Sequence, residues 1–259
     1  MTPTERPDNP FVASGIGVQY ARGRPYHHPR ALARARTMLG VERADRALDV
    51  ACGTGMSTVA LREVANVVVG VDRSPDMLGI AATATGVAVV RGAAERLPFP
   101  DATFDAVTVS SGVHWFDQHA FFAEVGRLLR PSGWVVLYDH YFIGEMVDVP
   151  EFPEWARVAF DRYPLPPRNH QVGDPRAQTP DGFDLVGDEF YADDIAMTQE
   201  QFVDYQLSIS NFVAAGERGA SRSELRDWLT TTTAPFYATE SARAVRFLGS
   251  LTCLRLAAQ

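Results

Sequence analysis

Short apolar or β-branched segments alternate with helical segments between residues 46 and 140, and this alternation limits the fold more than any other feature. The segments with strand character, each bounded by turn residues, are 46–51, 66–71, 88–91, 104–109 and 134–140. The segments between them with apolar residues at helical spacing are 56–64, 75–84 and 119–129. Strands joined by right-handed helical crossovers form a parallel sheet covered on both faces. The sequence therefore predicts an α/β fold with a doubly wound, Rossmann-like and mostly parallel sheet.

The rest of the chain is expected to complete this sheet and to cap one end of it. Prolines interrupt the pattern between residues 144 and 194, which predicts an irregular insertion followed by further helices. Two apolar segments around Gly249-Ser250 predict an antiparallel hairpin, which brings the sheet to seven strands. A single domain is expected over 1–259. Its expected parts are N-terminal cap helices (1–40), a ligand-binding core (45–142), an insertion or lid beside the site (143–235) and the hairpin (236–259).

Charge and cysteine content exclude several classes of partner. A net charge of −8 provides no positive field for phosphates, so neither nucleic acid nor an anionic membrane is expected to bind. Cys52 and Cys253 lie far apart and match neither a disulfide framework nor a metal-ligand spacing, which predicts a reduced, cytoplasmic setting and no metal. No apolar run is long enough to span a bilayer, and residues 1–10 lack the apolar region of a signal peptide.

A glycine-rich turn, Ala51-Cys52-Gly53-Thr54-Gly55, follows the first predicted strand. Asp72 ends the second strand, where its carboxylate can accept hydrogen bonds from both hydroxyls of a ribose. At the switch point of a doubly wound sheet, such a turn and acid predict a ligand of the adenosine type. A dinucleotide is less favoured, because the turn lacks the G-x-G-x-x-G spacing that brings a pyrophosphate onto a helix N-terminus.

At these residues the chain resembles the class I S-adenosylmethionine (SAM)-dependent methyltransferases, in particular their small-molecule, type 11-like branch. The segments that carry the resemblance, in the family's order, are Leu48-Asp49-Val50-Ala51-Cys52-Gly53-Thr54-Gly55, Val71-Asp72-Arg73-Ser74-Pro75-Asp76-Met77-Leu78, Gly92-Ala93-Ala94-Glu95-Arg96-Leu97-Pro98-Phe99-Pro100-Asp101, Phe104-Asp105-Ala106-Val107 and Leu128-Leu129-Arg130-Pro131-Ser132-Gly133-Trp134. The resemblance implies SAM as methyl donor, S-adenosylhomocysteine (SAH) as product and O-, N- or C-methylation of a small organic acceptor.

The acceptor remains open at the level of sequence. The segment Ser110-Ser111-Gly112-Val113-His114-Trp115-Phe116-Asp117 resembles a subgroup that includes methyltransferases of small carboxylic acids such as trans-aconitate. Aromatic or indole-like natural products of secondary metabolism are equally compatible. Two other functions stay possible: a protein that binds SAM or SAH without methyl transfer, and methylation of a macromolecule. The oligomeric state is not predicted.

The resemblance assigns the cofactor's surroundings residue by residue. It implies that Asp49 lies near the SAM ammonium, that Asp72 binds the ribose and that Tyr20, with Arg24 as a second candidate, contacts the SAM carboxylate. The full set of implied cofactor-binding residues is Tyr20, Arg24, Asp49, Ala51, Cys52, Gly53, Asp72, Arg73, Met77, Ala94, Glu95, Ser110 and Ser111.

Two positions depart from the family's pattern. Ala51 stands where the family usually has its first glycine, and its methyl group is tolerated there if φ is negative. Ala93 stands where an aspartate often meets the adenine amino group, so adenine recognition is expected to depend on backbone and neighbouring groups.

The candidate catalytic residues are His114, His140 and Tyr20. His114 follows the fourth strand and His140 ends the fifth, at the edge where the transferable methyl group is expected. Histidine is easily poised near neutral pH, but a base is needed only if the acceptor must lose a proton. The alternative for His114 is a packed histidine beside Trp115 and Phe116. Weaker candidates from the caps are His27, His28 and His170.

Overall fold

A mixed sheet of seven strands forms the centre of the computed structural model, which describes residue 11 and residues 15–166 and 179–258. The strands are β1 (Ala44–Val50), β2 (Ala65–Asp72), β3 (Ala88–Arg91), β4 (Phe104–Ser110), β5 (Leu129–Met146), β6 (Phe183–Met197) and β7 (Arg243–Leu256). They lie in the order β3-β2-β1-β4-β5-β7-β6, and β7 alone runs opposite to the other six strands. The predicted class, a doubly wound and mostly parallel sheet with an antiparallel C-terminal pair, is confirmed.

The helices are α1 (Gly17–Gly23), α2 (His28–Leu39), α3 (Met56–Leu61), α4 (Pro75–Thr85), α5 (Gln118–Leu128), α6 (Phe152–Arg162), α7 (Gln199–Ser208), α8 (Ser210–Glu217) and α9 (Arg222–Thr233). Local sequence sets the ends of those nearest the site. The Ser74 hydroxyl accepts a hydrogen bond from the Met77 amide and caps α4, and the Asp117 carboxylate accepts one from the Ala120 amide and caps α5. Both caps fix loops at the carboxyl edge of the sheet.

Two apolar layers cover the central strands. On one face α5 packs Phe121 and Leu128 against strand residues such as Val107. On the other face α2 and α3 bury Leu32 and Leu61. Because β1 lies between β2 and β4, the chain reverses its winding direction there, and a crevice opens at the carboxyl ends of these strands.

The antiparallel pair contains different residues from those predicted. Residues 244–248 and 251–256 do not form a hairpin; they belong to one continuous strand, β7, whose partner β6 lies inside the segment expected to be an irregular lid. Gly249 is not a turn residue, because it pairs with Tyr191 and lies directly under the tyrosine ring. A methyl group at position 249 would approach that ring to 2.1 Å. This glycine marks a close cross-strand contact.

The segment 143–235 therefore divides into a sheet strand and a helical layer. β6 extends the sheet, whereas α6 and α7 pack over the end of β5 through Phe142, Phe152 and Phe202. His170 lies outside the described residues. Within the described part of the chain, no helix has the length and apolarity to cross a membrane, and no three His, Cys, Asp or Glu side chains group as metal ligands.

Candidate active site

A cavity of about 820 Å³ opens at the carboxyl ends of the central strands, and most of the predicted site residues surround it. Those that line it are Tyr20, Arg24, Ala51, Gly53, Asp72, Arg73, Met77, Ala94, Glu95, Ser110, Ser111, His114 and His140. Asp49 and Cys52 are the two that do not. A cleft at the switch point of a doubly wound sheet is the expected place for a nucleotide-like ligand.

The glycine-rich turn after β1 adopts left-handed backbone conformations. Gly53 has a φ of 53° and Gly55 a φ of 85°, as glycine permits. Ala51 has a φ of 57°, so the expectation of a negative φ at this position is wrong. The alanine methyl group fits because position 112 is glycine: a methyl group there would lie 2.8 Å from Cβ of Ala51. Ala51 thus occupies a conformation that costs an alanine about 1–2 kcal/mol.

Asp72 connects the end of β2 to the turn. Its Oδ2 accepts a hydrogen bond from the Gly53 amide at 2.9 Å, and its Oδ1 accepts one from the Ser74 amide at 2.8 Å. Burial raises the pKa of the carboxyl group, while the two amide donors oppose that shift. An ionised carboxylate has about four acceptor positions, so acceptor capacity remains for a hydroxyl donor from the cavity. This arrangement fits the ribose contact that the sequence implies.

Asp49 lies behind the turn rather than in the cavity. Its carboxylate accepts hydrogen bonds from the hydroxyls of Ser57, Thr58 and Thr108 at 2.6, 2.7 and 3.0 Å. Burial raises its pKa to about 6 against the effect of these donors. The carboxylate joins α3 and β4 to β1, and its implied place near the SAM ammonium stays a prediction.

Cys52 is likewise buried beneath the turn. A methyl group on Gly70 of β2 would lie 2.8 Å from its Sγ, and burial raises the pKa of its thiol. Cys52 and Cys253 are both unpaired. The thiol packs the turn against β2 and lines only a side pocket of about 30 Å³.

α1 contributes Tyr20 to the lining of the cavity and is held at both ends. The Gly17 amide donates a hydrogen bond to Asp76 of α4 at 2.7 Å. At the other end Arg22 pairs with Asp204 of α7, and Arg24 donates to the Ser208 carbonyl at 3.1 Å. α1 therefore connects α4 with α7 beside the cavity, and its role as a cap stays a prediction.

Arg24, which lines the cavity, has a buried donor without a partner among the described residues. Its guanidinium carbon lies 4.6 Å from the centre of the Tyr20 ring, and its Nε is buried without a hydrogen-bond partner among the described residues. Buried polar groups in proteins are nearly always paired. A ligand carboxylate that reached Nε would satisfy it, and Tyr20 and Arg24 both stay predictions for the SAM carboxylate.

The far end of the cavity carries the residues expected around adenine. Met77 and Ala94 are buried there, and Arg73 and Glu95 lie beside them. The Glu95 carboxylate accepts a hydrogen bond from the Asp117 amide at 3.0 Å and so ties this loop to the start of α5. Ala93 does not line the cavity, which agrees with recognition of adenine by neighbouring groups.

The candidate catalytic histidines differ in their surroundings. His114 lies on a short 3-10 turn, Val113–Trp115, with its ring centre 5.0 Å from that of Trp115, and it lines the cavity. His140 is buried, and its Nε2 lies 3.1 Å from Oδ2 of Asp193. Burial lowers the pKa of His140, and Asp193 opposes that effect.

A second part of the lining comes mainly from the segment in which the sequence predicts an insertion or lid beside the site, although its individual residues carry no pattern of their own. It consists of apolar side chains from the end of β5, α6 and the α7–α8 junction, with a few polar groups, namely Phe142, Phe160, Leu165, Tyr205, Ile209, Ser210 and Asn211. Asn211 donates to the Tyr163 carbonyl at 2.8 Å, which orders this wall. The aromatic content of the insertion was the only signal for it.

Comparison with known proteins agrees with this geometry. The sequence profile of the methyltransferase domain family matches residues 48–137. An uncharacterised methyltransferase of Mycobacterium tuberculosis is 39% identical over 135 residues, which cover 51% of this chain and 53% of that protein. A demethylmenaquinone methyltransferase of Mycolicibacterium paratuberculosis is 42% identical over 103 residues, which cover 39% of this chain and 44% of the relative. The chain thus spans about half the length of the curated relatives it matches.

A similar fold occurs among solved structures. A protein of Anaeromyxobacter dehalogenans, proposed to be a type II methyltransferase, superposes with a TM-score of 0.64 over 86% of this chain and 94% of its own, at 20% identity. The cyclase SpnF superposes with a TM-score of 0.51 over 89% of this chain and 82% of its own, also at 20% identity. At these identities the comparison concerns the fold alone.

Proposed function

Because this chain belongs to the class I SAM-dependent methyltransferases, with residues 48–137 as the matching domain, we propose that it transfers the methyl group of SAM to a small organic acceptor. The observation that supports this most directly is the cavity itself, in which Asp72 offers free acceptor positions and Arg24 a free buried donor. A nucleoside hydroxyl pair and an amino-acid carboxylate would satisfy both.

The residues of the chain would act mainly by binding and exclusion of water. When bound, SAM supplies a methyl group on a positively charged sulfur, which is already an activated leaving group. Asp72 would hold the ribose, Arg24 would hold the carboxylate of the methionine part, and α1 would cover the cofactor. The apolar wall that includes Phe142 and Phe160 would hold the acceptor against the reacting face.

The first test is calorimetric titration with SAM and, separately, with NADH. We expect saturable SAM binding and no NADH binding; NADH binding alone would identify a dinucleotide protein. Asp72→Ala should weaken SAM binding about 10- to 100-fold, since a hydrogen bond to a charged group contributes about 1.5–3 kcal/mol. The matched control is Asp101→Ala, which removes an exposed carboxylate outside the cavity. Equal SAM affinity of the two variants would contradict the assignment of Asp72.

A methyl-labelled SAM assay separates this proposal from its alternatives. A labelled small molecule supports the proposed transfer, label in macromolecules alone would indicate a protein or nucleic-acid substrate, and binding without label would indicate a SAM-binding protein. The net charge of −8 favours a small-molecule acceptor over nucleic acid. The buried, unpaired thiols of Cys52 and Cys253 favour a reducing, cytoplasmic setting.

A further inference from the structure

His140 and Asp193 form a buried pair at the wall of the cavity, although they come from different strands. His140 lies near the end of β5 and Asp193 lies on β6, and Nε2 of the histidine is 3.1 Å from Oδ2 of the aspartate. The histidine lines both the main cavity and the side pocket behind the glycine-rich turn. The pair therefore borders the cavity proposed to hold the cofactor, in addition to packing in the interior of the protein.

Neighbouring rings fix the plane of the His140 imidazole. The His27 ring is stacked on one side, with centres 4.2 Å apart and planes 10° apart. The Phe247 ring is stacked on the other side at 4.7 Å and 11°. Asp193 is fixed in turn by an ion pair with Arg30 of α2. The imidazole can therefore neither rotate out of its plane nor leave its carboxylate without disturbing three elements.

The contacts of the two ring nitrogens determine what this histidine can do. A carboxylate accepts hydrogen bonds, so Nε2 carries the proton and donates it to Asp193. Nδ1 is then the unprotonated nitrogen of the neutral ring, and it makes no hydrogen bond with any of the described residues. Because His140 lines the cavity, a ligand bound there would be the partner for this lone pair.

The surrounding charges keep the ring neutral before reaction yet compensate a proton that it gains. Burial lowers the pKa of His140 most, and Arg24 and Arg30 lower it further, while Asp193 raises it. His27 and His28, which also contact this region, have pKa values lowered by burial and so add no positive charge near pH 7. An imidazolium at position 140 would lie beside the Asp193 carboxylate.

We propose that His140 is a catalytic base that removes a proton from a hydroxyl acceptor, and that Asp193 positions it. This inference rests on the proposed methyl transfer and narrows its substrate class to phenols, enols or alcohols. The acceptor O–H proton passes to Nδ1 of His140, and an oxygen lone pair forms the new bond to the methyl carbon. The bond between that carbon and sulfur breaks with its electron pair left on sulfur, so the products are a methyl ether, SAH and an imidazolium that later releases its proton to solvent. A carboxylate acceptor arrives ionised and needs no such base.

The first experiment does not depend on turnover. Nitrogen-15 NMR of histidine-labelled protein with SAH bound, assigned with His140→Gln, reports which ring nitrogen is protonated. We expect a protonated Nε2 and a bare Nδ1 in the wild type at pH 7.5. Asp193→Asn should move the His140 titration to lower pH because it removes the carboxylate that favours the charged ring. The matched control is Asp194→Asn on the same strand, where the carboxylate pairs with Arg246 at 2.8 Å and which should leave the titration unchanged.

A protonated Nδ1 in the wild type, or a His140 titration that Asp193→Asn leaves in place, would overturn the pair's role. If His140→Gln does not fold, the His140 signals of the wild type can be assigned from their response to SAH. The comparison of the wild type with Asp193→Asn then still decides the test.

The second experiment identifies the methylated atom from the chemistry of the labelled product, whichever small molecule accepts the methyl group. Methyl-labelled SAM is incubated with the protein and a small-molecule extract, and the labelled product is treated with mild alkali and then with hydriodic acid. We expect label that resists alkali and is released by hydriodic acid as methyl iodide, as from an ether. His140→Gln should lower its formation about 100-fold or more. Label released by alkali as methanol would show an ester, and label stable to both treatments an N- or C-methyl group; either result overturns the hydroxyl assignment. An absence of labelled small molecules would remove the proposed methyl transfer, and with it the role of a base, even where NMR finds the pair intact.

Discussion

The contact between Ala51 and Gly112 allows a quantitative test of how the site accommodates a non-glycine residue in its cofactor turn. Ala51 has a φ of 57°, and its methyl group lies where a side chain on Gly112 would have to go. Ala51→Gly removes the backbone strain of about 1–2 kcal/mol. It also raises the conformational entropy of the unfolded chain, which lowers the free energy of unfolding by about 0.4–1 kcal/mol. We therefore expect a net stabilisation of about 0.5–1 kcal/mol.

Gly112→Ala should be destabilising for a purely steric reason. Gly112 has a φ of −123°, which alanine adopts readily, but the new methyl group would lie 2.8 Å from Cβ of Ala51 and 3.3 Å from Cγ1 of Val109. Overpacking of this kind costs about 1–3 kcal/mol. In the Ala51→Gly background the shorter contact disappears, so most of the cost should disappear with it. The expected coupling between the two positions is about 1–2 kcal/mol.

Equilibrium unfolding in urea, followed by circular dichroism and tryptophan fluorescence, measures all four members of this cycle. The slope with denaturant should be equal throughout, so that differences in midpoint report stability. Gly79→Ala is the matched control, because a methyl group there meets nothing within 4 Å and lies inside α4. That variant should be stabilised by about 0.5–1 kcal/mol. An equal cost of Gly112→Ala in both backgrounds would refute the proposed contact.

Two further predictions concern the cap and the buried histidines. Gly23→Ala should weaken SAM binding at least about tenfold and lower stability by about 1–3 kcal/mol, because the new methyl group would lie 2.4 Å from the Asp204 carbonyl oxygen and push α1 off α7; calorimetry and thermal melts of this variant and of the unobstructed Gly216→Ala would measure it, and equal behaviour of the two would contradict it. Burial lowers the pKa of His28 to about 3, so its neutral form supports folding above about pH 6.5, and this contribution is lost as the pH falls from there towards 3. His28→Gln should reduce the acid loss of stability by up to about 1.4 kcal/mol per pH unit in urea titrations, and an acid loss equal to that of the wild type would contradict this.

The parallel half of the fold was predictable because each strand and helix there carries its own local pattern. β6 was not predictable from its sequence. It is an edge strand whose exposed positions include acidic residues such as Asp188 and Asp194, so its alternation of apolar and polar residues is masked. Gly249 was misread because a glycine in sequence indicates a turn as readily as a close contact. Only the pairing of β6 with β7 brings Tyr191 over it.

The site divides in the same way. The turn, Asp72 and the serines after β4 come from one contiguous stretch, so the sequence placed them together in the cavity. The environment of Asp49 could not be predicted, because the hydroxyl of Thr108 that holds it lies 59 positions away. The sequence around Asp193 does not indicate the role proposed for it, because only the pairing of the strands brings its carboxylate beside His140.

The cavity draws its two walls from separate stretches of the chain. One wall comes from β1 to β4, whereas the other comes from the end of β5 and from α6 to α8, which enter between the central strands and the sheet edge. Mutations that reshape the second wall can accumulate without disturbing the glycine-rich turn. Under the proposed function, a lineage with this architecture can exchange one acceptor for another by replacing the helices on either side of β6, and these two helical segments are the natural units for building chimeric enzymes.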